Sequence, residues 1–334
     1  MLLLILRRIA SFIPVLFGLS VAVFVWIHVL PGGPAVAQLG QEATPANIAA
    51  ANKLYGFDQP LVVQYADFLD RMVHLDFGAS TQTDLPAVDE LASRFPATLE
   101  LTLAALAFAL VFGLPLGYFA ARHPGTWLDR GVLATSLVGY VVPVFVTGFV
   151  LKLIFGVWLG WLPTTGRQSA DILAAHPTGL YVLDGILTGN LAAAVDAVRH
   201  LILPGITLGS ITYGAVVRIT RAAVTRVLGQ DYIRTAEAKG LPAGLIARRH
   251  IMRNAAPSIT TIIGVHVGLL LSGAVLTETV FGIPGMGSFM ASAIFARDYA
   301  TIEVFILFAA VLVASASLLV DISYAFFDPR VRIT

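Results

Sequence analysis

Six long apolar runs constrain this chain more than any other feature. They cover residues 9–30, 97–121, 132–157, 200–222, 258–280 and 302–326. A helix needs about 20 apolar residues to cross the hydrocarbon core of a bilayer, so each run is predicted to span a membrane. The expected fold class is an all-α polytopic membrane protein, with residues 1–334 forming one six-span transmembrane domain. Composition agrees: 57% of residues are hydrophobic and 12% are charged, against ~25% charged in a soluble domain. Cysteine is absent, which excludes disulfides and thiolate chemistry.

Arg7, Arg8, the first apolar run and Ala35-Val36-Ala37 imitate a secretory signal with its cleavage site. The run is too long for a signal core of ~7–15 residues, so an uncleaved first span is expected.

Six spans place both termini on one side, and the basic residues identify that side. Fourteen of the 21 Lys and Arg residues fall in four places: the N-terminus (Arg7, Arg8), the second connection (Arg122, Arg130), the stretch from Arg218 to Arg253, and the tail (Arg330, Arg332). The first connection, residues 31–96, holds three basic and eight acidic side chains. Positively charged connections stay in the cytoplasm, so both termini and segment 226–257 are expected there. The outer connections are then 66, 42 and 21 residues long. Trp158 and Trp161 suit an aromatic belt at the outer end of the third span.

Gly113/Gly117, Gly205/Gly209 and Gly264/Gly268 share a four-residue spacing, and Ser272 extends the last pair. This spacing sets small residues on one helix face, where a neighbouring backbone can approach, within the bundle or between subunits. Chance pairing among 30 glycines explains the same pattern. Pro115 and Pro143 are expected to kink the second and third spans.

Enzyme chemistry finds little support. No Gly-Lys pair exists, so the chain lacks a phosphate-cradling loop and is not expected to hydrolyse nucleotide. The seven histidines lie at least 16 residues apart, which leaves no helical metal pair. No catalytic or metal residue is assigned. Glu100, Lys152, Glu278 and Asp321 lie near span ends, where snorkelling to the interface is the simplest reading. His266 lies inside the fifth span, as a packed hydrogen-bonding residue or as a proton or substrate contact.

One stretch breaks the apolar pattern. DYIRTAEAKGLPAGLIARRHIMRNAAP, residues 231–257, holds Arg234, Lys239, Arg248, Arg249 and Arg253. Asp231 is expected to cap a short helix through Lys239, and Gly240 to stop it in the left-handed region, with Pro242 just beyond. A second helix from about Ala243 to Asn254 leads into Pro257 and the fifth span. A positively charged loop is the plainer alternative, but helix, stop and helix in this order suit a docking surface.

The segment resembles the cytoplasmic coupling loop of ABC-importer permeases, above all its variant in the dipeptide/oligopeptide/nickel permease family. DYIRTAEAKGL and RRHIMRNA carry the resemblance. Aligned on Gly240, the general Glu-Ala-Ala positions of that loop fall on Arg234, Thr235 and Ala236, and its Ile-x-Leu-Pro end falls on residues 250–253. Glu237 stands where the family variant has arginine. GFDQPLVVQYADFL, LDFGAS, RFPATLEL, VPVFVTG, LGWLPTTG, TETVFGIPGMG and FFDPRVR are similar, in this order, to parts of that family's first permease subunit.

The resemblance implies a pathway shared with a second, homologous permease subunit in a prokaryotic cytoplasmic membrane. It also implies two cytoplasmic ATPase subunits, which bind the ATP and Mg, and an extracytoplasmic substrate-binding protein. Arg234, Thr235, Ala236, Glu237, Ala238, Lys239, Gly240, Leu241, His250, Arg253 and Asn254 take the ATPase-coupling role. Gly205, Gly209, Gly264 and Gly268 are the candidate helix-packing residues. Peptide is the implied substrate class, with nickel, glutathione or an opine as alternatives in the same family. A secondary carrier or a membrane scaffold is the alternative from another class, and ATP dependence separates them. Membrane lipid is the remaining partner; no cofactor in this chain and no nucleic acid is expected.

Overall fold

The computed structural model describes residues 2–29, 32–39 and 43–327. Pro31 and the tail with Arg330 and Arg332, including most of FFDPRVR, lie outside the described residues, as do the side chains of Arg7, Arg8, Ala37, Ser272 and Asp321.

Among the described residues, four helices are long and apolar enough to cross a membrane unbroken: α1 (Leu2–Val29), α5 (Ala87–Arg122), α9 (Leu191–Leu228) and α14 (Tyr299–Phe327). Between α1 and α5 lie α2 (Gly33–Leu39), α3 (Pro45–Leu54) and α4 (Leu61–Val73). The third expected span is two pieces. α6 (Trp127–Val141) and α7 (Val144–Leu151), the latter continued as a π-helix through Trp158, meet at 110°. Pro143 has no N–H and holds Val142 in extended backbone (φ −72°, ψ 127°), so the expected kink is a full break. Pro115, by contrast, lies within an uninterrupted α5.

After α8 (Tyr181–Leu187) and α9 come α10 (Asp231–Ala238) and α11 (Ala243–Leu245). α12 (Arg253–Phe281) follows, its path bending by 53° near residues 271–273, and α13 (Met286–Ala296) precedes α14. Up to six spans result if each bent pair counts as one. Several helices exceed their apolar runs: α5 begins at Ala87, and α9 extends from Leu191 to Leu228. The Asn190 side chain starts α9 early by accepting the Ala193 N–H at 3.1 Å.

The centre of the bundle is α9, pressed between α5 and α6. A Cβ at Gly209 would lie 2.6 Å from the Ala105 carbonyl oxygen, and one at Gly117 would lie 2.8 Å from that of Val217. Gly205 faces Ala104 on the same seam. On the other side, Gly139 and Gly214 let α6 approach the α9 backbone as closely. Gly268 faces Val313 of α14 at an ordinary 3.5 Å, so its side of α12 meets a helix of the same chain. Gly264, one turn earlier, is half-buried.

Three charged residues at span ends do not snorkel. Glu100 is buried, accepting from the Arg167 guanidinium at 2.7 Å and the Val182 N–H at 2.8 Å. Lys152 Nζ donates to the Val280 carbonyl at 2.6 Å. Glu278 is wholly buried; it accepts from the Thr98 hydroxyl at 2.6 Å and from the Ser288 N–H at 2.7 Å. Ser288 lies in the first turn of α13, so Glu278 caps that helix from the preceding one. Reading each charge within its own segment suggests the interface; partners distant in sequence keep Glu100 and Glu278 inside. His266 is buried and shares a 3.2 Å hydrogen bond with the Thr212 hydroxyl, as a packed intramembrane histidine would.

Candidate functional site

The polar segment is built on the end of α9. The chain turns after Leu228, with the Gly229 N–H bonded to Thr225 O and the Gln230 N–H to Val227 O. This turn sets Gln230 in extended backbone at the N-cap, so Asp231 is the first residue of α10 and not its cap. The Asp231 carboxylate still lies in the first turn, where negative charge favours a helix. It sits 3.7 Å from the exposed Arg234 guanidinium.

The other end of α10 is closed by its backbone. Gly240 has φ +72°, its N–H bonds to Glu237 O at 2.9 Å, and the Leu241 N–H reaches Ala236 O at 3.3 Å. These two bonds form a Schellman stop, which requires a left-handed residue at the position of Gly240. Ile233 and Ala236, one turn apart, are buried with Val224 and Val227 of α9 and with Ile246, Ile251 and Ala255 further along. Apolar spacing thus anchors one face. Arg234, Thr235, Glu237, Ala238, Lys239 and Gly240 remain exposed on the other, with Leu241 half-buried beside the anchor.

The second helix differs from its expected form. α11 starts after Pro242, widens into a π-helix over Ile246–Met252 and runs straight into α12 at Arg253. There is no end at Asn254: the second helix of the polar segment and the long apolar helix after it are one rod. His250 is half-buried, while Arg253 and Asn254 are exposed and the Asn254 amide donates to His250 O. The geometry therefore brings Arg234, Thr235, Glu237, Ala238, Lys239 and Gly240 together on one exposed ridge, keeps Ala236 beneath it, and sets Arg253 and Asn254 on the rod that follows. π-turns of this kind concentrate at functional positions.

A further pair escaped the sequence reading, where Arg221 was only one charge among many. Its Nε and a terminal nitrogen donate to the two carboxylate oxygens of Asp129 at 2.6 and 2.8 Å. The Gly125 N–H adds a third bond to Asp129, whose side chain is 4% exposed. This clamp ties the start of α6 to α9 ten residues before α10. Gly-Thr-x-x-Asp at 125–129 is a helix-start signal, with the Thr126 hydroxyl accepting the Asp129 N–H, but nothing local marks Arg221 as its partner.

Long apolar helices that carry an exposed polar turn at one end define a polytopic membrane protein. Residues 113–333 match the family described as the binding-protein-dependent transport system inner membrane component, and residues 1–102 match the N-terminal part of such membrane components. The chain belongs to this family. It is 41% identical over 327 residues to the di/tripeptide transport system permease protein DppB of Pseudomonas aeruginosa, covering 98% of this chain and 97% of that one. It is 37% identical over 332 residues to the dipeptide transport system permease protein DppB of Escherichia coli, covering 98% of both. The fold is similar to that of the MetNI methionine ABC transporter in inward facing conformations. That match has a TM-score of 0.51 at 16% identity, over 71% of this chain and 96% of the other.

Proposed function

We propose that this chain forms half of the transmembrane pathway of an ATP-driven importer of short peptides. The single observation that carries its coupling role is the Schellman-closed ridge at Gly240, mounted on the end of α9 and continuous with α12. An ATPase subunit seated on this ridge would move α10 when it closes on ATP. Because Ile233 and Ala236 are buried against α9, the push would pass into the helix at the centre of the bundle. Arg234, Thr235, Glu237, Lys239, Arg253 and Asn254 would make the contact, with Ala236, Leu241 and His250 supporting it from beneath. A second permease subunit would complete the pathway, two ATPases would drive it, and a binding protein would select the cargo on the outer side.

The excess of basic residues at this end supports a cytoplasmic position for the ridge and both termini. Peptide as the cargo follows from the names of the relatives, which share the whole length of the chain. Reconstitution of the assembled complex tests the reading: uptake of a labelled dipeptide should require both ATP and the binding protein. Uptake driven by an ion gradient without ATP would refute it.

A further inference from the structure

Beside the ridge lies a groove that the transport reading does not use. It opens between the last turns of α5 and the α11–π segment, with a volume of about 320 Å³. Leu114, Pro115 and Phe119 form one wall, and Ala247 and Met252 the other. The α5 wall continues into Val111 and Phe112, both more than half exposed, which is the outward apolar surface of a membrane span. One edge of the groove is cationic. Arg248 lines it, exposed and without a carboxylate partner among the described residues. Tyr118 lines it too, and its hydroxyl accepts from the Arg122 guanidinium at 3.3 Å, which draws a second positive charge to the same rim. No acidic side chain among the described residues lines the groove. Trp127, 86% exposed just beyond the end of α5, marks the level of the headgroups.

We infer that this groove is a binding site for an anionic phospholipid, with an acyl chain along the α5 wall and the phosphate on Arg248 and Arg122. An apolar slot open to the lipid-facing surface and ending in two guanidinium groups complements both halves of such a molecule. Basic pockets between helices at the cytoplasmic interface hold anionic headgroups for the same reason. The inference takes from the proposed function only the orientation that faces this end to the anionic leaflet. Lipid binding is measurable without ATP, so it stands or falls apart from the transport reading.

Native mass spectrometry of the purified, delipidated complex with its partner subunits provides the test. Phosphatidylglycerol and phosphatidylcholine with identical acyl chains are added in equal amounts. Each basic residue near an anionic lipid contributes ~1 kcal/mol, so phosphatidylglycerol should be retained at least about five-fold better. Arg248→Gln should cut that preference about five-fold, while Arg248→Lys should keep most of it. Arg249→Gln, outside the groove, should change nothing. Ala247→Trp, which fills the slot, should reduce retention of both lipids, and glycerol 3-phosphate should not displace either. Equal retention of the two lipids by the native complex, or an unchanged preference in Arg248→Gln, would overturn the inference. Displacement by glycerol 3-phosphate would make this a phosphate site, and loss of a protein subunit from Ala247→Trp would make it a subunit interface; either result also overturns it.

Discussion

At Gly240 space is not the constraint, because among the described residues no atom beyond its chain neighbours lies within 4 Å of where a Cβ would sit. The constraint is φ at +72°, which a β-branched residue adopts only with strain of about 1–3 kcal/mol. That is too little to unfold a bundle of long helices but enough to displace α10. Gly240→Val is therefore predicted to assemble with its partners yet lose most transport, along with the ATPase stimulation given by loaded binding protein. Gly240→Asn, which tolerates the left-handed region, should retain more of both. Wild-type uptake by the valine variant, in the reconstituted complex, would reduce the segment to a charged connection. Glu278 presents the opposite case, a residue important for what it accepts. Glu278→Leu leaves the Thr98 hydroxyl and the Ser288 N–H buried without their acceptor, at about 1–3 kcal/mol each. A lower unfolding midpoint in detergent is the expected result, and an unchanged midpoint would show that the cap contributes nothing. Gly240 was legible in the sequence because a helix stop is written within a few neighbouring residues. Glu278 was not, since Thr98 lies 180 residues away.

Among the elements, the broken third span has the clearest mechanical consequence. α6 is clamped to α9 by Asp129 and Arg221 and lies close along it at Gly139 and Gly214. Beyond Pro143 the chain belongs elsewhere: Lys152 holds the π-turn to Val280 near the far end of α12. The Val142–Pro143 break therefore separates a half that follows α9 from a half that follows the last turn of α12. Asp129→Asn weakens the clamp; breaking it should cost ~2–3 kcal/mol, below the ~3–5 for a fully buried pair because Arg221 is 30% exposed. The predicted effect is partial uncoupling, with ATP hydrolysis largely kept and fewer peptides moved per ATP. The exchange Asp129→Arg with Arg221→Asp should restore part of the ratio. An unaltered ratio in Asp129→Asn would leave the clamp a purely structural feature. Spans were readable here because apolar length is a local property. Their ends were not, because stretches such as Leu191 to Arg199, interrupted by the charges of Asp196 and Arg199, become helix through a cap at Asn190 and packing against α8. The break at Pro143 needed the backbone of Val142, because sequence alone predicted only a kink there.

For the whole molecule, orientation decides whether the ridge and its proposed motor can meet. The basic asymmetry argues that residues 32–86 and 159–190 lie outside and that residues 229–257 lie in the cytoplasm. The chain has no cysteine, so single introduced cysteines report position without background. Asp67 lies exposed on α4 and Gln230 is exposed at the start of the coupling segment. Gln168 is a poorer probe than its sequence position suggests, being half-buried and accepting a 2.9 Å hydrogen bond from His176, whereas Ala170 nearby is exposed. A membrane-impermeant maleimide should label Asp67→Cys and Ala170→Cys in intact cells, and Gln230→Cys only after the membrane is opened. The result also tests the coupling surface, because ATP is supplied from the cytoplasm. If Gln230→Cys is labelled from outside, the ridge at Gly240 faces away from any ATPase. The Schellman stop, the buried anchor of Ile233 and Ala236 and the Asp129 clamp would then require a different partner.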